Sequence, residues 1–215
     1  MHEFNKAGEI YSQEPLISPS VVEKSSEHLT HWDVFSRLLK DRIVFIGNTI
    51  DRVVSNIIIG QMLFLQTDKA SAQIDIYVNT PGGSVDAGLA IYDTMRFVRC
   101  DCATYCVGMA ASMGAVLLAA GEKGKRFALP NAKILLHQPW TSGLGGSASD
   151  VKIHAEDLVK TREQINKILA FHTGQPLKKI EKDTDRDFIM TAEEAKEYGL
   201  IDEVLEYASK DKTDG

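Results

Sequence analysis

The chain has 215 residues, of which 44% are hydrophobic and 25% charged, and its formal net charge is −6 at pH 7. That length suits one domain with a substantial core. The acidic balance gives no reason to expect nucleic-acid binding, and no apolar run reaches the length of a membrane span. The opening, MHEFNKAGEIYSQEP, has neither the apolar centre of a signal peptide nor the Arg-rich, acid-poor character of a transit peptide, so a cytoplasmic location is expected.

Up to about residue 30 the chain carries Pro15, Pro19 and many polar groups without periodicity. Residues 1–19 read as a mobile leader or a segment removed by processing, 20–206 as the domain, and 207–215 as a disordered tail. A helix is expected at about 31–40, with Trp32, Phe35, Leu38 and Leu39 at helical spacing. Residues 42–47 (RIVFIG) hold a short apolar strand, and 50–65 read as a largely buried helix. The strand at 73–79 (QIDIYVN) ends in Thr80, Pro81, Gly82, Gly83 and Ser84, followed by a helix at about 85–98. The alternation continues with a strand at 103–107, a helix at 111–120, strands at 126–129 and 133–137, and a long helix at about 149–172. This pattern predicts an α/β domain with mostly parallel pairing. Beyond Gly174 come a short helix near 177–182, a T-x-x-E capping box at Thr191 and Glu194 opening a helix at 192–198, and a last strand at 200–204.

Several motifs carry less than they suggest. Cys100, Cys102 and Cys106 fit neither a disulfide framework nor a zinc signature and read as buried thiols. Gly143, Gly145 and Ala148 fit G-x-G-x-x-A by spacing, but the preceding strand ends in His-Gln-Pro and the connection is long, so no dinucleotide site is expected. Residues 121–125 (GEKGK) fail the P-loop spacing. On the long helix, Val151, Ala155, Leu158, Ile165 and Leu169 form one apolar seam with Arg162 in the gap. Such a seam serves either a second subunit or the helix's own domain.

The stretch 103–121, ATYCVGMAASMGAVLLAAG, is the centre of the chain. Gly108 is expected to end its strand, and Ser112 then stands among very small neighbours where strand becomes helix. A serine nucleophile needs that access, and it needs N–H donors for the oxyanion that forms after attack. The alternative is a helix N-cap serine in a tight core. The two glycines after Pro81 leave backbone N–H groups uncovered, or simply turn the chain. His137 ends an apolar strand, where α/β folds place site residues. Ser112, His137 and one of Asp183, Asp185 or Asp187 make a nucleophile, base and orienter, and chain order does not select the aspartate.

These residues, together with the segments at 35–42 (FSRLLKDR), 79–83 (NTPGG), 91–95 (IYDTM), 110–114 (AASMG), 137–139 (HQP), 172–174 (HTG) and 192–195 (AEEA), closely resemble the proteolytic subunit of the Clp protease, a member of the crotonase-like superfamily of α/β folds. The resemblance implies repeated β-β-α units and a protruding handle at about 140–172. It makes Ser112 the nucleophile, His137 the general base and Asp187 the triad carboxylate, with the N–H groups of Gly83 and Met113 as the oxyanion hole. It implies a homo-oligomer of two stacked seven-subunit rings joined through the handle, with Asp185 and Arg186 pairing across the ring interface. Substrates are then unfolded proteins delivered by a hexameric Clp-family AAA+ unfoldase, which uses the ATP, so this chain itself needs no cofactor or metal. Residues 27–33 (EHLTHWD) depart from the commoner family pattern in the region of the axial loops. Two other readings are a non-catalytic subunit of a mixed ring and a crotonase-fold enzyme acting on acyl-CoA thioesters. The first sits poorly with three intact triad residues, and the second leaves them without a shared task.

Overall fold

The computed structural model describes residues 19–24, 28–143 and 145–207. The greater part of the expected leader, 1–18, lies outside the described residues, as do 25–27, the last of which opens the departing segment, and 208–215 of the tail. The chain forms two compact units, Met1–Asp41 and Arg42–Gly215.

In the first unit, β1 (Ser20–Lys24) pairs antiparallel with β2 (Leu29–Asp33), and α1 (Val34–Lys40) follows. The expected helix at 31–40 therefore starts three residues late. His31 and Trp32 belong to the hairpin, paired with Val22 and Val21. Asp33 ends the strand and caps the helix by accepting from the N–H groups of Phe35 and Ser36, both at 3.0 Å.

The second unit alternates β3 (Ile43–Ile46), α2 (Arg52–Asp68), β4 (Ile74–Thr80), α3 (Val85–Phe97), β5 (Cys102–Ala111), α4 (Met113–Ala119) and β6 (Arg126–Ala128). It continues with β7 (Lys133–Leu136), α5 (Ala148–Thr173), α6 (Leu177–Asp183), β8 (Phe188–Thr191), α7 (Ala192–Tyr198) and β9 (Glu203–Val204). The sheet runs β3-β4-β5-β6-β9 with every pair parallel, and β7 and β8 branch from β5. An aromatic row crosses it: Phe45, Tyr77, Tyr105 and Phe127 stand on register-paired positions with successive centroids 6.4, 4.8 and 5.0 Å apart.

The core lies against the other face. Ile46, Ile76, Val78 and Cys106 of the sheet are fully buried, and α4 is buried along its whole length. A helix apolar all round has no solvent face to keep, which suits the centre of a layered domain. α2 differs from expectation. Ser55, Ile58, Met62 and Leu65 face the core, whereas Val53, Ile57 and Phe64 are exposed, so only one face of this apolar helix is covered within the chain. The last strand is also shorter than expected, because Leu200 and Ile201 are buried in the turn before it.

α5 opens with a reciprocal capping box, Ser147 with Asp150, and closes on Gly174 at φ 73°. Its seam divides. Ile165 and Leu169 are buried against their own domain, whereas Val151, Ala155 and Leu158 are only half-buried. Arg126 anchors the C-terminal end. It is nearly buried, forks onto Asp202 (2.9 and 2.6 Å) and donates to the carbonyls of His172 (2.9 Å) and Gly199 (3.0 Å). One guanidinium thus ties the ends of α5 and α7 to the sheet. Among the described residues no helix is long and apolar enough to cross a membrane.

Candidate active site

The site begins with a fork in β5. On one side β4 pairs with it as far as Ala110; on the other, β6 pairs with Thr104, Tyr105 and Cys106, and β7 takes over at its last three residues. Gly108 was expected to end the strand, but it redirects it. At φ 88° it lets the backbone pass Asn79, whose Oδ1 accepts from Met109 N–H at 3.2 Å. A Cβ at Gly108 would lie 2.7 Å from that oxygen. The redirected strand brings Ala111 beside Leu135, and Ser112 N–H donates to the Leu135 carbonyl at 2.9 Å. Ser112 and His137 therefore emerge at the C-terminal ends of neighbouring parallel strands, where ligands of α/β sheets bind.

Ser112 has φ 55° and ψ −122°. For a residue with a Cβ this costs about 1–3 kcal/mol and persists only where the surroundings enforce it. Its side chain makes no cap hydrogen bond, so the capping alternative does not describe it. The enforcement comes from close packing on both sides. Gly88 of α3 admits the buried Met113 side chain, and Gly114 lies against Thr80. Gly82, at φ 94°, approaches so closely that a Cβ there would stand 2.7 Å from Ser112 Cβ and 3.2 Å from Met113 N. Thr80 shapes this turn by accepting from Gly82 N–H (3.1 Å) and donating to the Asn48 carbonyl (2.6 Å). Gly83 bridges to Ile50, but both bonds of the bridge are carried by its neighbours Gly82 and Ser84, leaving the Gly83 N–H outside the ladder. Met113 is the first residue of α4, so its N–H has no partner within the helix.

Strand register brings one of the three aspartates to His137. β8 runs antiparallel to β7 with Leu136 opposite Phe188, and one further step in that register sets His137 opposite Asp187. His137 Nδ1 and Asp187 Oδ1 are 3.1 Å apart. With Nδ1–H donated to the carboxylate, Nε2 carries the lone pair, the tautomer a general base needs. The other two aspartates have different partners. Asp183 takes Lys179 Nζ (2.5 Å) and the Tyr198 hydroxyl (2.8 Å). Burial raises its pKa, but these two bonds together with the charges of Lys179 and Lys182 outweigh burial and hold the carboxyl below its usual range. Asp185 lies 3.6 Å from both Arg162 and Arg186.

The segment carrying Asp187 is moored by residues that sequence reasoning did not single out. Thr184 is fully buried, its Oγ1 3.1 Å from Oδ1 of the buried Asn166 on α5. Its carbonyl accepts from Gln138 N–H at 2.7 Å, and the Gln138 amide donates to the Asp185 carbonyl at 2.8 Å. An asparagine beside an apolar seam gives no sequence signal of such a role. Gly82 had a signal, as one half of the Gly-Gly pair, but its contact with Ser112 is a product of the fold.

Ser112 and His137 line one narrow cavity with Val85, Met113, Leu136 and Pro139. Among the described residues no hydrogen bond joins the serine hydroxyl to His137; such contacts are commonly loose before substrate binds. A larger open cavity of about 870 Å³ adjoins it, lined by His137, Trp140, Leu158, Asp185, Arg186 and Asp187. The three cysteines are buried and free. Burial pushes the Cys102 and Cys106 thiols up to about 12, so they stay protonated and unreactive.

Fold and site together define a class: an α/β protein that gathers a serine, a histidine and an aspartate at the ends of neighbouring strands. The chain belongs to the Clp protease family, whose model matches residues 25–208. Membership makes it a peptidase of the Clp type.

Proposed function

We propose that the chain is a serine endopeptidase subunit in which Ser112 attacks the peptide carbonyl, His137 takes and returns the proton, and Asp187 orients the imidazole. The N–H groups of Gly83 and Met113 receive the oxyanion. The observation that carries this reading is the strained, uncapped Ser112 in one cavity with a histidine whose other nitrogen is held by Asp187. The acyl-CoA reading would leave that histidine–aspartate pair without work, and a silent subunit would have no use for the strain at Ser112.

In this proposal the working form is a homo-oligomer of two heptameric rings enclosing the sites. α5 serves as the handle that joins the rings, with Asp185 and Arg186 at the contact. The exposed apolar residues of α2 and the half-buried start of the α5 seam fit burial by neighbouring subunits. A Clp-family AAA+ unfoldase in the cytoplasm delivers unfolded protein and spends the ATP. The enclosed chamber has a physical reason: an exposed, unselective triad would cut the loops of folded neighbours.

The direct test is labelling of the purified protein with a fluorophosphonate, with the modified residue mapped by mass spectrometry. Modification at Ser112 is the expected result. Peptide hydrolysis that survives Ser112→Ala would overturn the assignment.

A further inference from the structure

Beside the candidate site lies a second cavity of about 210 Å³, between the start of α3 and the middle of α5. It shares Val85 and Pro139 with the cavity of Ser112, and Trp140, Thr141 and Leu158 with the larger one beside His137. Its volume is roughly that of seven waters, room for one long side chain. Two carboxylates line it, Asp86 from α3 and Asp157 from α5, beside His154 of α5 and with no lysine or arginine in the lining. Among the described residues neither aspartate forms an ion pair or a hydrogen bond, and no group of His, Cys, Asp or Glu is arranged to hold a metal ion.

We propose that this cavity is a side-chain subsite of the candidate active site and takes a lysine or arginine of the substrate. The chemistry of the walls suits that occupant along its whole length. Val85, Pro139 and Leu158 offer apolar surface to the methylene stem. The two aspartates supply the counter-charge, and the exposed Trp140 indole lines the same cavity, an aromatic group to which a cation is attracted. An aspartate or glutamate side chain would meet like charge twice. The bland role of Asp86, favouring the N-terminal dipole of α3, requires no partner on α5, whereas Asp157 sits mid-helix and has no dipole to serve. This inference rests on the peptidase reading of the adjoining site.

The test uses the assembled full-length protein and sets of short fluorogenic peptides that differ at one position near the scissile bond, carrying lysine, norleucine or glutamate. Lysine is expected to exceed norleucine in kcat/KM by about 2- to 5-fold at one position, the range that exposed charge pairs support, and glutamate is expected to fall below both. In Asp86→Asn, Asp157→Asn and the double variant the lysine-to-norleucine ratio is expected to drop toward one. Anisotropy of labelled versions of the same peptides on the Ser112→Ala protein gives a second readout with the same expected order. Equal cleavage and equal binding of lysine and norleucine peptides in the parent protein, or a lysine preference untouched in the double variant, would overturn the subsite. No cleavage of any peptide, with the lysine preference intact in binding, would overturn the peptidase reading and leave the subsite standing.

Discussion

Ser112 and Asp187 stand at opposite ends of one candidate site and are held in opposite ways. Ser112 sits between a strand and a fully buried helix, with Gly82, Gly88 and Gly114 admitting neighbours to within less than a normal Cβ contact. Its unusual backbone angles follow from the core itself. The Asp187 side chain is 66% exposed, and its contact in the site is a single bond to His137. Its segment is fastened below by Thr184, Asn166 and Gln138, while the neighbouring Arg186 is 86% exposed and projects outward. The serine end depends on the chain being folded; the aspartate end depends also on what surrounds its surface.

The comparison can be broken most severely at the serine. Ser112→Ala is expected to lower peptide hydrolysis by at least about 10⁴-fold while native mass stays that of the parent protein. Next comes the opposite end. Asp187→Asn removes the acceptor for Nδ1–H, and a loss of about 10²- to 10⁴-fold in kcat/KM is expected with little change in thermal stability, since the side chain is largely exposed. A fall in melting temperature as large as that of a core substitution would show that Asp187 is structural. Gly82→Ala tests the tight packing at Ser112. The added methyl would meet the Ala111 carbonyl at 2.6 Å, so activity should fall about 10²-fold and the melting temperature by several degrees together. Full activity in that variant would mean that the close approach to Ser112 is incidental.

The smallest effect separates acid loss of activity from acid loss of structure. His172 is packed edge-on against Tyr92 and held 3.1 Å from its hydroxyl. Burial, reinforced by the charges of Arg96 and Arg126, lowers its pKa from 6.5 to about 4. The unfolded chain therefore binds more protons than the folded one between those values, so stability should decline as the pH falls from 6.5 to about 4. His172→Gln should flatten that limb in denaturant titrations at successive pH values. Peptide cleavage through an imidazole base also weakens toward acid pH, and that loss should persist in the His172→Gln protein.

Much of the architecture was legible along the chain because period and punctuation are local. The strands at 43–46 and 74–80, the long α5 and the capping box at Thr191 follow from apolar spacing and cap chemistry. Misreadings arose where pairing overrode local pattern. Gly108 looked like a stop and proved to be a fork, because Asn79 on the next strand holds the redirected backbone. His31 and Trp32 looked helical and pair with β1 instead. The apolar residues of 50–65 suggested a largely buried helix, but α2 lies at the edge of the layer and turns only one face to the core, unlike the central α4.

For the candidate site the division is equally physical. Sequence alone determined that Ser112 stands at a strand-to-helix junction among small residues, that a glycine pair follows the preceding strand, and that His137 closes a strand. Each of these is a property of a few consecutive residues. Residue types and spacing left three aspartates open, and the family resemblance pointed to Asp187. Only the tertiary structure supplies the contact, because it rests on the register between β7 and β8, formed by segments some 50 residues apart, which sets His137 against Asp187, while Asp183 meets Lys179 and Tyr198. The strained backbone of Ser112 and the meeting of Asp86 and Asp157 in the neighbouring cavity belong to the same category, since each exists only where distant elements pack together.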